Sequence, residues 1–113
     1  PPERIVIAGF SQGGAVAYQT ALTYDKPLAG LLALSTYIAT KDSLQPHAAN
    51  QTLNIAIHHG SQDPVVPVQL GQQAKIWLES KGYQPSYYTY PMAHQVCMPQ
   101  IKIIGQWLND VLA

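Results

Sequence analysis

Short apolar runs and stretches with helical spacing alternate along this chain. Four apolar or aromatic runs predict β-strands, at residues 4–9, 28–35, 53–59 and 84–90. The first is a continuous apolar run, the kind that a parallel sheet buries on both faces. Three helices are predicted: an alanine-rich stretch over residues 12–25, apolar residues at helical spacing over residues 68–81, and a last helix whose first turn holds Pro99. The alternation predicts an α/β fold with a parallel sheet and covering helices.

Two segments complete this pattern. Residues 36–52 are polar and mixed, and we expect a loop with one short helical turn. The last predicted helix has an apolar face formed by Ile101, Ile104, Leu108 and Val111, with Trp107 beside it.

Composition excludes several functional classes. The formal net charge is zero and 11% of the residues are charged, so no basic stripe predicts nucleic-acid binding. The single cysteine, Cys97, excludes an internal disulfide and favours a reducing compartment, the cytoplasm. No apolar run is long enough to span a membrane. With 113 residues, the chain predicts at most one domain, and because it opens on Pro1-Pro2 and enters a strand almost at once, we expect its true N-terminus upstream.

The segment Gly9-Phe10-Ser11-Gln12-Gly13 lies between the first predicted strand and the first predicted helix. This is the G-x-S-x-G pattern in the strand–turn–helix context of a nucleophile elbow. A serine in a sparsely allowed backbone conformation exposes its hydroxyl there, and the strand and helix pass close together. A side chain at position 9 or 13 is therefore expected to collide. The competing interpretation is an ordinary strand–helix turn.

Polar side chains follow three of the predicted strands. They are Ser11, Asp63 and His94. Functional residues of parallel α/β sheets gather at the carboxyl ends of the strands, so we expect these three to lie close together. Their order along the chain is that of the catalytic triad in α/β-hydrolases.

Acid–base chemistry assigns a role to each group. His94 would take the proton of the Ser11 hydroxyl and later protonate the leaving group. Asp63 would hold the imidazole in the required tautomer and stabilise its charged form. The backbone N–H of Gln12 is the expected oxyanion-hole donor. A second donor is expected from a loop after an earlier strand, which this sequence does not contain.

Other assignments compete with this one. Asp42, in the loop after the second strand, is the rival acid, and His59 is the rival base, although it more plausibly shapes its loop. A metal site built from His58, His59, Asp63 and His94 is a further alternative. The spacing and chain order fit a triad better, and no recognised zinc pattern is present. We therefore predict neither a metal nor a cofactor.

The remaining polar and aromatic residues have structural interpretations. Three titratable residues are predicted to be surface groups, namely Asp25, His47 and Asp110. Cys97 is predicted to be a small buried residue rather than a reactive thiol. The tyrosines of the fourth strand are predicted to pack on the sheet. Residues 35–37 either line an acyl pocket or only end the second strand.

Four segments together resemble the phospholipase/carboxylesterase family of α/β-hydrolases, which includes bacterial carboxylesterases and acyl-protein thioesterases. The segments are residues 9–15, 34–35, 59–66 and 90–94. The resemblance implies hydrolysis of carboxylic esters or thioesters, with Ser11, Asp63 and His94 as the triad and Gln12 in the oxyanion hole. Two positions depart from the family: Ala93 stands where Gly usually precedes the catalytic histidine, and Gln95 where Glu often follows it. The methyl group of Ala93 is expected to shift His94 slightly.

The resemblance covers only the C-terminal half of the family fold. We therefore expect residues 1–113 to form a single partial domain of about four parallel strands with covering helices, with the N-terminal half missing. The strand at 4–9 would then expose a bare apolar edge. We expect that edge to be covered by the missing half or by a second copy in a homo-oligomer. The first hypothesis is therefore a serine hydrolase that acts on a small-molecule ester or acyl thioester. The second hypothesis is that the chain alone is a non-catalytic half-domain.

Overall fold

Four parallel strands form one sheet in the order in which they occur along the chain. The computed structural model describes residues 1–113. Its strands are β1 (Val6–Phe10), β2 (Gly30–Leu34), β3 (Asn54–Gly60) and β4 (Ser86–Tyr90). The register is continuous, since Leu31 pairs with Ile7 on one side and with Ile55 on the other. The predicted parallel α/β architecture is confirmed.

Three helices connect or follow the strands. They are α1 (Gln12–Thr23), α2 (Val68–Ser80) and α3 (Met98–Leu112). The first predicted strand begins later than expected because Pro2–Arg4 form a single 3₁₀ turn. The predicted helix at 12–25 ends at Thr23, since Tyr24 is already extended. The loop 36–52 holds the predicted short turn, at Ala48–Asn50.

One face of the sheet carries the core. Helices α1 and α2 both pack on this face, and their buried side chains join those of β2 and β3 in one cluster. Leu22, Leu31 and Leu78 are fully buried in it. Complete burial of each such side chain contributes about 1.5–3 kcal/mol to folding.

Helix α3 lies on the opposite face. Successive strand residues point to opposite faces. At Gly30, the neighbour of Leu31, a Cβ would lie 2.7 Å from the ring edge of Trp107. The Arg4 guanidinium donates to the Leu112 carbonyl at 3.3 Å and joins the two ends of the chain. Most of the predicted apolar face of α3 is half-buried, but Ile101 remains 50% exposed.

Strand β1 departs from its prediction. A strand buried on both faces was expected, yet Ala8 and Phe10 are exposed, and the other residues of β1 are only partly buried. The reason is its position, since β1 is an edge strand and pairs with β2 alone. An apolar run typical of a central strand therefore lies at an edge of this sheet.

The Asn50 side chain anchors the loop that enters β2. Its Oδ1 accepts from the Leu28 N–H at 2.8 Å, and its Nδ2 donates to the carbonyls of Tyr24 and Lys26 at 3.1 and 2.9 Å. Asn50 is 1% exposed, so the backbone groups that it binds would lose their hydrogen bonds without gaining equivalent ones from water if its side chain were removed.

We predict that Asn50→Ala lowers the free energy of unfolding by about 2–4 kcal/mol, because each of these hydrogen bonds contributes about 0.5–1.5 kcal/mol. Asn54→Ala is the matched control. Asn54 is exposed and makes one long bond, to the Ala29 carbonyl at 3.3 Å. Urea unfolding measures both, and an equal effect of the two substitutions would contradict the anchoring role of Asn50.

Candidate active site

Ser11 lies in the turn between β1 and α1 with a strained backbone. Its φ is 56° and its ψ is −123°, a conformation that residues with side chains rarely adopt. Two hydrogen bonds hold the turn, since the Ser11 N–H donates to the Leu34 carbonyl at 2.9 Å and the Thr36 hydroxyl donates to the Ser11 carbonyl. Strained residues of this kind cluster at functional sites. The sequence contained no signal for the role of Thr36.

Two glycines allow β1 and α1 to meet at this turn. A Cβ at Gly9 would overlap the Gly13 carbonyl and lie 2.7 Å from the Gly14 Cα, and a Cβ at Gly14 would overlap the Thr36 side chain. The expected collision at position 13 is wrong, because a Cβ there would meet nothing within 4 Å. Gly13 is exposed at the start of the helix, whereas Gly14 is buried against Thr36.

The Asp63 and His94 side chains are in direct contact. The His94 Nδ1 lies 2.7 Å from the Asp63 Oδ2. A carboxylate only accepts hydrogen bonds, so Nδ1 carries the proton and the Nε2 of neutral His94 is free to accept one. This is the tautomer that a general base requires.

Hydrogen bonds keep the Asp63 carboxylate ionised. The side chain is buried, and its Oδ1 accepts from the backbone N–H groups of Val65 and Val66, each at 2.8 Å. Burial by itself would raise the pKa of Asp63. The bonds from Val66, His94 and Val65 outweigh burial and hold the pKa below its ordinary value.

The loops that carry these two residues are bound to each other at the ends of β3 and β4. The Ser61 N–H donates to the Tyr90 carbonyl at 2.8 Å, and the Gln62 N–H donates to the Met92 carbonyl at 3.1 Å. Gly60 permits this approach, because a Cβ there would overlap the carbonyls of Met92 and Ala93.

Phe10, which precedes Ser11, contacts the Asp63–His94 pair. The Phe10 ring lies against the His94 ring, with 4.7 Å between their centroids. The three predicted residues thus share one rim of the sheet. Asp63 and His94 are hydrogen-bonded, while the Ser11 hydroxyl makes no hydrogen bond to His94.

The rival residues lie elsewhere. Asp42 is exposed and lines a surface groove against α2. His59 is fully buried, and its Nε2 bonds to the Val66 carbonyl at 2.7 Å. No group of three or more His, Cys, Asp or Glu side chains has an arrangement that could hold a metal ion. The predicted surface residues are exposed, namely Asp25, His47 and Asp110.

His58 points to the opposite face of the sheet. Its Nδ1 lies 2.9 Å from the Tyr90 hydroxyl, and its ring stacks on Tyr88. Burial lowers the pKa of His58 to about 4, so the ring is neutral at pH 7. The predicted packing role of the β4 tyrosines is confirmed. Cys97 is half-buried rather than buried, and it caps the N-terminus of α3.

Residues 35–37 have separate roles. Ser35 is buried, with a φ of 50°, and Thr36 braces the Ser11 turn. Tyr37 lines an open groove of about 440 Å³ together with Gln12, Ala15 and Val16 of α1. Ser35 and Thr36 therefore follow the end of β2 as structural residues, whereas Tyr37 lines a groove.

No helix of this chain combines the length and apolarity that a membrane crossing requires.

Comparison with solved structures defines the class of this fold. The chain superposes on Arabidopsis thaliana SOBER1 with a TM-score of 0.91 and 31% identity, covering 100% of this chain and 55% of that one. It superposes on esterase PE8 with a TM-score of 0.90 and 26% identity, covering 98% of this chain and 52% of that one. The fold is that of the α/β-hydrolases.

The family is defined by sequence. The phospholipase/carboxylesterase family model matches residues 1–112, and the chain belongs to that family. A curated relative, acyl-protein thioesterase 1 of Neurospora crassa, is 37% identical over 117 residues, which cover 99% of this chain and 48% of the relative. The chain thus spans about half the length of the curated relatives it matches.

The site makes folding stability depend on pH through Asp63. Its lowered pKa means that the ionised carboxylate stabilises the folded chain above its ordinary pKa of 3.8, and this contribution is lost as the pH falls through the folded-state pKa. We predict that Asp63→Asn costs stability at about pH 7 and progressively less toward about pH 3. Urea unfolding at both pH values measures the difference. Asp42→Asn, at an exposed position, is the control, and a pH-independent effect of Asp63→Asn would contradict the prediction.

Proposed function

We propose that this protein is a serine hydrolase that cleaves carboxylic esters or thioesters through an acyl-enzyme intermediate. The observation that carries the proposal is the 2.7 Å hydrogen bond between a buried, ionised Asp63 and His94, on the same rim as the strained Ser11. Membership of the phospholipase/carboxylesterase family supports the reaction class.

The proposed chemistry has two half-reactions. The His94 Nε2 takes the proton of the Ser11 hydroxyl as its Oγ bonds to the substrate carbonyl carbon. The backbone N–H of Gln12, at the first position of α1 with no acceptor inside the helix, donates to the resulting oxyanion. Collapse breaks the bond to the alcohol or thiol, which leaves with the proton from His94. Water then repeats the sequence on the acyl-enzyme and releases the acid.

The names of the relatives support hydrolysis of both ester and thioester bonds. The Neurospora crassa relative is named a thioesterase, and PE8 is named an esterase. We propose a small-molecule ester or acyl thioester as the substrate and the cytoplasm as the location, for which the lack of any internal disulfide is the support.

We predict that a fluorophosphonate probe labels the intact protein at Ser11, because an activated hydroxyl displaces the fluoride and an unactivated one does not. Ser11→Ala should abolish labelling, while Ser43→Ala, at an exposed serine in the loop 36–52, should leave it unchanged. Mass spectrometry of the labelled peptide identifies the site. Labelling that survives Ser11→Ala would overturn the proposal.

A second candidate function concerns this chain in isolation. The open edge of β1 favours a half-domain that requires further polypeptide for activity. Turnover of a short p-nitrophenyl ester by the isolated chain distinguishes the two proposals. Robust turnover that Ser11→Ala abolishes would eliminate the half-domain proposal.

The same edge leads us to propose an assembly. We predict that a second copy, or the remaining half of the protein, pairs with the outer edge of β1, since unpaired apolar edges recruit further strands. The β1 amide groups that point away from β2 should then exchange slowly with deuterium, and analytical ultracentrifugation should detect the larger particle. A monomeric chain with rapidly exchanging β1 amides would contradict this prediction.

A further inference from the structure

His59 lies fully buried at the end of β3 and makes one hydrogen bond. Its Nε2 is 2.7 Å from the Val66 carbonyl oxygen. A carbonyl only accepts, so Nε2 carries the proton and donates. Its Nδ1 is buried and has no partner. The hydrogen bond to the Val66 carbonyl is therefore the only one that the His59 ring makes.

That backbone group belongs to a residue that also binds the carboxylate of Asp63. The Val66 N–H donates to the Asp63 Oδ1 at 2.8 Å, beside the equivalent bond from Val65. The His59 Nε2 itself is 3.8 Å from the Asp63 Oδ2, which is too far for a hydrogen bond. His59 thus reaches Asp63 through Val66, and Asp63 in turn holds His94.

Helix α2 holds the His59 ring from the other side. A Cβ at Gly71 would lie 2.7 Å from the His59 Nδ1 and 3.2 Å from its Cγ. Only a residue without a side chain allows α2 to pack so close to the ring. The ring is consequently clamped between Gly71 and Val66.

We propose that His59, clamped by Gly71, is a positioning residue that sets the Asp63 carboxylate through the backbone of Val66 and so aligns His94. The inference rests on the proposed function for its kinetic consequence. Its structural consequence, the state of the Asp63–His94 hydrogen bond, is measurable without any turnover.

The first test removes the donor and then restores it. In the intact protein, His59→Leu should weaken or abolish the downfield NMR resonance of the His94 Nδ1 proton. It should lower kcat by about 10- to 100-fold with little change in KM, because small misplacements of catalytic groups cost that much. His59→Gln offers an N–H near the original Nε2 and should restore most of the resonance and most of the kcat.

The second test disturbs the ring without removing it. Gly71→Ala should weaken the same resonance and lower kcat, although alanine favours a helix. Gly105→Ala is its matched control, since a Cβ at that helical glycine of α3 meets nothing within 4 Å and should change neither readout. Asn50→Ala controls for lost stability, because Asn50 is equally buried and lies near the start of β2, away from the rim.

The outcomes separate a positioning role from a purely structural one. Loss of the resonance in His59→Leu and Gly71→Ala, with rescue by His59→Gln, supports the proposal. An unchanged resonance in His59→Leu, no rescue by His59→Gln, or an equal loss in Asn50→Ala would overturn it. If the wild-type protein shows the resonance but neither turnover nor labelling, the proposed function fails, and the NMR comparison still decides the role of His59.

Discussion

The Asp63 carboxylate is the group on which the arrangement of the rim depends. A charge taken out of water is costly unless hydrogen bonds replace its hydration. Asp63 is 6% exposed and accepts bonds from two backbone amides and one imidazole. The loop after β3 must therefore curl around the carboxylate, and the loop after β4 must bring His94 to it. Removal of any one donor would leave part of a buried charge unsatisfied.

Glycines at a few close approaches make this geometry possible. Gly9 lets α1 leave β1 at the Ser11 turn, Gly60 lets the two rim loops touch, and Gly71 lets α2 rest on the His59 ring. At each of these positions a single methyl group would collide with neighbouring atoms. The neighbours are backbone atoms at Gly9 and Gly60, and the His59 ring at Gly71. The parallel sheet contributes the rest, because it brings the carboxyl ends of β1, β3 and β4 to one rim.

The sequence was sufficient to predict much of this. The alternation of apolar runs with helix-forming stretches predicted the four strands and the three α-helices, and the order of the strands along the chain placed Ser11, Asp63 and His94 at one rim of the sheet. The bare edge of β1 was predicted correctly from the missing half of the fold. The burial of β1 on both faces was predicted wrongly, because an apolar run alone does not reveal what covers its faces. The role of Gly13 was also predicted wrongly, since only the helix rotation shows that Gly14 and not Gly13 faces Thr36. Neither the Asn50 anchor nor the link from His59 to Val66 has a sequence signature, because both depend on contacts between a side chain and a distant backbone group.

We propose that Ser11, His94 and the Gln12 N–H act on one substrate carbonyl. The most direct test is a crystal structure of the intact protein after reaction with a fluorophosphonate. We predict phosphorus bonded to the Ser11 Oγ, a phosphonyl oxygen about 2.7–3.1 Å from the Gln12 nitrogen, and the His94 Nε2 facing the Ser11 oxygen. An adduct on a different side chain, or one on Ser11 whose oxygen points away from Gln12, would contradict the claim.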